Sequence, residues 1–128
     1  MRLEGSALVH AAAATTQEAV DPLQPLLSSL KPVAVTLTFR EVTPEDYDRL
    51  LSSLVLTPHG SGLPGCLFHW VQLTPEGWTI TEVWQNRALF DVYRHDEVEP
   101  TYQRLRLPAP EVSIAPVHNY LESAGLID

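Results

Sequence analysis

Three side chains stand out in this sequence as candidates for moving protons: His69, Tyr93 and His118. His69 lies in an otherwise apolar segment, and a neutral imidazole held there can accept the proton of an acidic hydroxyl group near neutral pH. General-base help of that kind is worth on the order of a hundredfold or more in rate. These three residues are therefore the catalytic candidates that the sequence offers.

Aromatic and amide side chains are the candidates for contacting a substrate, because they supply stacking surfaces and hydrogen bonds; they are Phe68, Trp70, Trp84, Phe90 and Asn119. A structural role is the alternative for each kind of residue. Large aromatics such as Trp84 and Phe90 usually contribute buried area to a core. His69 can be a hydrogen-bonded structural histidine, and His118 can anchor the last strand.

Cofactor motifs are the next feature to consider. The sequence has no glycine-rich phosphate loop and no spaced set of Cys and His ligands. His95-Asp96-Glu97 lacks a second ligand four residues on, and Cys66 has no charged neighbour in sequence that would activate it. We therefore expect no metal, flavin or haem, although a haem in a pocket needs only one histidine.

The stretch Gly77 to Val98 organises the predicted site. It begins as a strand, with Trp78 and Trp84 on one face of a period-2 pattern. Asn86 is then a good helix N-cap, and the apolar residues after it follow helical spacing: Leu89, Phe90, Val92 and Tyr93. Strand and helix diverge from one junction, so we expect the pocket in the wedge between the sheet and this second helix.

The remaining elements complete a β-α-β-β-α-β order. A clean alternating strand starts at Val33, Thr43-Pro44-Glu45-Asp46 is a capped helix start, and Thr74 to Gly77 is a hairpin turn. Glu111 to Tyr120 reads as a last strand, which Pro116 places at an edge or a bulge. This order is the ferredoxin-like α+β fold with an antiparallel sheet.

The strand Cys66 to Leu73 carries large apolar side chains on both faces. Leu67, Val71 and Leu73 alternate with Cys66, Phe68 and Trp70. Such a strand has no face suited to solvent, so we expect helices to cover one side of the sheet and another structure to cover the other. A second copy of the chain is the economical cover, which predicts a homodimer.

Composition excludes several classes of protein. The 128 residues are 45% hydrophobic, enough for one domain with a core. The net charge of −8 includes no basic run, so nucleic acid and membranes are poor partners. The apolar run Ala7 to Ala14 is too short to span a membrane. One cysteine allows no intramolecular disulfide, and together these features predict a soluble, cytoplasmic protein.

Three segments are predicted. Residues 1–31 lack strand alternation and form an N-terminal extension, either a mobile arm or a short helix docked on the domain or a partner. Residues 32–121 form the ferredoxin-fold domain. Residues 122–128 form a C-terminal tail.

Several short motifs are similar to those of a known group of proteins. They are Pro64-Gly65-Cys66-Leu67-Phe68-His69, the strand Gly77 to Trp84, Phe90, Pro100, and Pro116-Val117-His118-Asn119-Tyr120. Over roughly Val33 to Leu121 the chain resembles the antibiotic biosynthesis monooxygenase-like (ABM) family of dimeric α+β barrel proteins. This resemblance implies the ferredoxin-like fold and a homodimer.

The resemblance also implies a range of activities, because the superfamily includes cofactor-free oxygenases, cyclases, haem-degrading enzymes and proteins with no known reaction. It favours a cofactor-independent monooxygenase or cyclase that tailors an aromatic or polyketide-like substrate. The alternative is a non-catalytic dimeric ligand-binding or scaffold protein. In haem-degrading relatives a histidine on the second helix ligates iron; here Tyr93 and Arg94 come first, which makes haem chemistry the last choice.

Overall fold

The computed structural model describes residues 29–57, 60 and 62–127. Its elements are β1 (Val33–Arg40), α1 (Pro44–Ser53), β2 (Cys66–Thr74), β3 (Gly77–Trp84), α2 (Arg87–Tyr93), a π-helical segment (Arg94–Val98), α3 (Glu99–Arg104) and β4 (Glu111–Pro116). The predicted β-α-β-β-α-β order is confirmed. Most of the predicted N-terminal extension lies outside the described residues, and residues 122–127 of the tail form no helix or strand.

The four strands form one antiparallel sheet in the order β2-β3-β1-β4. Alternate residues of the two central strands are buried under the helices: Val35, Leu37 and Phe39 on β1, and Trp78, Ile80 and Trp84 on β3. β4 is an edge strand, as predicted. It ends at Pro116 instead of Tyr120 because Pro116 already pairs with Val33, where β1 begins.

A bulge in β2 changes which side chains face the helices. Cys66 pairs with Trp84 and Phe68 with Val83, so Leu67 is an extra residue on this strand. Because paired residues share a face, Cys66 lies on the helix-covered face, and simple alternation wrongly placed it with Phe68. Beyond the bulge, His69 pairs with Glu82 on that same face.

Helix α1 starts with the predicted capping box. The Thr43 hydroxyl accepts from the Asp46 backbone N–H, and the Asp46 carboxylate accepts from the Thr43 backbone N–H. The start is also tied to the sheet, because the Trp78 indole N–H donates to the Thr43 carbonyl at 2.8 Å. These contacts fix the first turn of α1 over the sheet, with the Tyr47 ring 5.4 Å from Trp78.

The C-terminus of α1 is a Schellman motif with an unusual residue. The backbone N–H of Leu56 donates to Leu51 and that of Val55 donates to Ser52, which is the paired pattern of this motif. Val55 occupies the left-handed position with φ of 59° and is 88% exposed. Glycine is usual at this position, since a β-branched residue is strained there.

Val55→Gly should therefore stabilise the protein by about 0.5–1 kcal/mol, because relief of the left-handed strain exceeds the entropy cost of glycine. Chemical denaturation measures the change. Val92→Gly is the matched control: Val92 is also exposed, but it lies inside α2, so glycine there should destabilise. A loss of stability in Val55→Gly would contradict the expectation.

No helix within the described ranges is long and apolar enough to cross a membrane.

Candidate functional site

A cavity of about 260 Å³ lies between the sheet and the helices. Its walls are mostly apolar and come from β1, α1, β3 and the segment from α2 to α3; among them are Leu37, Leu50, Leu54, Ile80, Trp84, Phe90 and Val98. A few polar side chains face the same space: Tyr47, His69, Glu82, Arg94, Glu99, Tyr102 and Gln103. An apolar cavity with few polar groups has the composition of a small-molecule site.

Hydrogen bonds link three of the polar residues in a line that we call the relay. The Tyr47 hydroxyl lies 2.7 Å from His69 Nε2, and His69 Nδ1 lies 2.8 Å from Glu82 Oε2. The other oxygen of Glu82 accepts the Trp84 indole N–H at 2.8 Å. Each member of the relay comes from a different element, α1, β2 or β3, so only the folded chain brings them together.

The partners of Glu82 determine the proton positions on His69. A carboxylate is an acceptor only, so His69 Nδ1 carries the hydrogen that binds Glu82. His69 Nε2 is then the lone-pair nitrogen, and the Tyr47 hydroxyl donates to it. Glu82 is 5% exposed and each of its oxygens has a hydrogen-bond partner, which is how buried carboxylates are accommodated.

Tyr47 keeps its proton at neutral pH. Burial raises its pKa to about 12, and the negative charges of Glu82 and Asp48 act in the same direction. Tyr47 is therefore not a base by itself. It is a phenol that can accept a hydrogen bond from a bound molecule while it donates its own hydrogen to His69.

The predicted site residues fall into two groups. His69, Trp84 and Phe90 line the cavity, and Trp84 and Phe90 are also buried core residues with ring centroids 5.7 Å apart. Tyr93 packs its ring 6.0 Å from that of Trp84 but does not line the cavity.

The other four candidates lie elsewhere. Phe68 and Trp70 line an open groove along β2, which Tyr47 and His69 also reach. Phe68 contacts the Tyr120 ring, and Trp70 is 47% exposed. His118 and Asn119 are exposed beyond the end of β4. The structure does not bring these four into the cavity, and their roles stay predictions.

Sequence reasoning did not include Tyr47, Glu82 or Arg94 among the site candidates, although all three line the cavity. Glu82 had a signal, since it is the only charged residue among the inward-facing positions of β3, between Ile80 and Trp84. Tyr47 lies in the first turn of α1, and nothing in the neighbouring sequence indicates that its hydroxyl meets a histidine 22 positions away.

The tyrosine on α2 and the histidine just after it are not placed to ligate a haem iron. His95 is exposed and hydrogen-bonds to Asp96 at 2.9 Å, and Tyr93 is packed on Trp84. His69 faces the cavity, but both of its nitrogens already have partners. In the part of the chain that the structure describes, no group of three His, Cys, Asp or Glu residues is arranged to hold a metal ion.

The same architecture occurs in solved structures. A Chloroflexus aurantiacus protein provisionally described as an antibiotic biosynthesis monooxygenase superposes with a TM-score of 0.51 at 23% identity, over 71% of this chain and 97% of its own. SnoaB, a cofactor-independent oxygenase from Streptomyces nogalater, gives a TM-score of 0.51 at 14% identity, over 73% and 99%. This chain has the ABM fold. A conserved Bacteroides thetaiotaomicron protein of unknown function gives 0.50 at 13% identity, over 70% and 100%.

The likeness to the ABM group is thus confirmed at the level of the fold. No protein-family model matches the chain, and no curated protein matches it by sequence. At these identities the likeness shows the fold alone, and the reaction depends on the side chains in the cavity.

Proposed function

We propose that this protein is a small-molecule tailoring enzyme that removes a proton from an aromatic hydroxyl compound without a cofactor. The observation that carries the proposal is the relay of Tyr47, His69 and Glu82 on the wall of an apolar cavity. A scaffold protein of this fold would be expected to fill that space with side chains, so the cavity favours the enzyme.

The proton follows the hydrogen bonds. A substrate hydroxyl in the cavity donates to the Tyr47 oxygen, and as its proton moves to Tyr47, the original Tyr47 proton moves to His69 Nε2. The products are a substrate phenolate, a neutral Tyr47 and an imidazolium that Glu82 stabilises through Nδ1. The low dielectric of the cavity strengthens that imidazolium–carboxylate attraction, which offsets the cost of separating charge there.

The electron-rich phenolate then reacts with dioxygen, which is the co-reactant of this proposal. For a bicyclic phenol such as 1-naphthol, the hydrogen at the carbon para to the hydroxyl is replaced by one oxygen atom. The second oxygen atom leaves as water, and the balanced products are 1,4-naphthoquinone and one water. The description of SnoaB as a cofactor-independent oxygenase, on the same fold, supports this choice.

Oxygen uptake tests the proposal. With 1-naphthol or a related one- or two-ring phenol, the purified protein should consume dioxygen and form the quinone in equal amounts. Ring closure of a polyketide-like substrate without oxygen uptake would favour the cyclase type, in which the same relay forms a carbanion. No binding and no turnover across such a panel would leave the non-catalytic ligand-binding or scaffold alternative.

We also propose that the protein is a cytoplasmic homodimer. The sheet face opposite the helices holds Phe68, Trp70 and Val83 among threonines, and Trp70 is 47% exposed. A second sheet packed on this face would bury these side chains. Sedimentation should show a dimer at micromolar concentration, and a monomer there would contradict this part of the proposal.

A further inference from the structure

We infer that Arg94 determines specificity: it binds a neutral acceptor oxygen, such as a ketone, on the far ring of a bicyclic phenol whose hydroxyl contacts the relay. This inference rests on the proposed function, because the relay sets which end of the substrate carries the hydroxyl. It adds a second anchoring point on the wall of the same cavity.

The π-helical segment places the Arg94 and Glu99 side chains next to each other. The Glu99 backbone N–H donates to the Arg94 carbonyl five residues earlier, which is the π-helical pattern. The wider turn brings side chains five residues apart onto neighbouring positions, and the Arg94 Nε donates to Glu99 Oε2 at 2.9 Å. In a regular α-helix, residues five apart point about 140° away from each other, so the pair depends on the π-helical segment.

A continuous wall connects Arg94 to the relay. The Arg94 guanidinium carbon lies 5.8 Å from the centre of the Phe90 ring, and Phe90 packs against Trp84. Trp84 in turn donates to Glu82 of the relay. Arg94 and His69 both line the cavity, at the two ends of this run of contacts. A flat ring system lying along Phe90 and Trp84 would thus have one edge at each polar end.

The Arg94 guanidinium has donors to spare. It carries five N–H groups, and within the described residues its hydrogen bond to Glu99 uses the Nε group. The terminal nitrogens of this planar fork remain for an acceptor in the cavity. The Arg94 side chain is 35% exposed, and part of it lines the cavity.

Charge decides between a neutral oxygen and a carboxylate. Glu99 pairs with Arg94, so the two together carry no net charge. The whole chain carries −8, and Glu82 already places a carboxylate on the same cavity. A ligand carboxylate would meet these negative charges with no uncompensated cation to attract it, whereas a ketone oxygen needs only the N–H donors.

The size of the cavity sets the number of rings. A cavity of roughly 150 Å³ holds one benzene ring, and sites for drug-sized ligands start at about 300 Å³. The value here, about 260 Å³, lies between them. Two fused rings fit this range better than the three or four of a full aromatic polyketide.

Three naphthols test the inference by fluorescence binding below neutral pH, where the naphthol hydroxyl is un-ionised in solution. They are 6-acetyl-2-naphthol, its isostere 6-isopropyl-2-naphthol, which lacks the acceptor, and 6-hydroxy-2-naphthoate. Arg94→Met keeps an apolar stem on Phe90 and removes the donors. It should lower the preference for the acetyl over the isopropyl compound by about tenfold. Arg87→Met, on the exposed side of α2, should leave the preference as in the wild type.

Glu99→Gln gives an independent check, since it removes the negative charge beside Arg94. It should improve binding of the naphthoate and preserve the preference for the acetyl compound. If Arg94→Met does not fold, Arg94→Lys replaces it, and the loss of the planar fork should still reduce the preference.

Two results would overturn the inference: an acetyl preference that survives Arg94→Met or its replacement, or a naphthoate that binds wild type more tightly than the ketone. If the wild-type protein still ionises bound 2-naphthol near neutral pH in either case, the proposed function is retained and only the role of Arg94 is rejected. If wild type binds none of the naphthols, both fall.

Discussion

His69→Ala should lower the turnover of a phenolic substrate by about 100- to 10,000-fold and leave the protein folded. The imidazole is the relay group with an available lone pair, because Glu82 accepts its Nδ1 hydrogen and leaves Nε2 unprotonated. Tyr47 cannot serve as the base, since its pKa is raised to about 12 and it keeps its proton at neutral pH. Without the imidazole, the proton of a bound phenol has no acceptor. Initial rates measure kcat and kcat/KM, and circular dichroism checks the fold.

Cys66→Ser is the matched control for His69→Ala. Cys66 also lies on the helix-covered face of β2, and burial raises the pKa of its thiol, so it is not a nucleophile at neutral pH. Its Sγ contacts the Phe68 carbonyl at 3.2 Å, a hydrogen bond that serine can keep. Turnover in Cys66→Ser should be close to wild type. Full activity in a folded His69→Ala protein, or unfolding of that variant, would assign His69 a structural role.

Glu82→Gln should lower kcat on the order of a thousandfold with a change in stability of about 1 kcal/mol or less. The amide oxygen can still accept the Trp84 indole N–H, which directs the amide NH₂ toward His69 Nδ1. That contact favours the tautomer with its hydrogen on Nε2, which points at Tyr47 and cannot take a proton. The relay would keep its shape and lose its basic nitrogen.

Rates and denaturation curves of Glu82→Gln should be compared with those of Glu76→Gln. Glu76 pairs with Arg40 in the exposed β2–β3 turn, so this control removes a carboxylate that does not touch the cavity. We expect wild-type turnover from it. Wild-type kcat in Glu82→Gln would show that proton transfer does not depend on the orientation of His69.

The fold could be predicted from sequence because its signals are local. Thr43, Pro44 and Asp46 specify the start of α1 within four positions, and the alternation that begins at Val33 identifies β1 directly. Asn86 caps α2 as expected, by accepting from the Leu89 backbone N–H at 2.8 Å. Each of these features depends on residues next to one another in the chain.

The site could be predicted only in part because its features are not local. His69 was a candidate as a lone polar residue in an apolar strand, but the Tyr47 hydroxyl reaches it only through the packing of α1 on the sheet. The bulge at Leu67 changes which side chains of β2 face the helices, and the alternation of apolar residues in the sequence gives no sign of it. The π-helical segment that pairs Arg94 with Glu99 also departs from the 3.6-residue period that helix prediction assumes.

The absorption spectrum of 2-naphthol bound to the protein near neutral pH tests proton transfer to the relay most directly. The naphthol and its anion absorb at different wavelengths, so the spectrum reports the protonation state of the bound ligand. We predict that wild type saturated with 2-naphthol shows the naphtholate band, and that His69→Ala binds the same compound as the neutral naphthol. A neutral naphthol spectrum in the wild-type complex would contradict the proposed function.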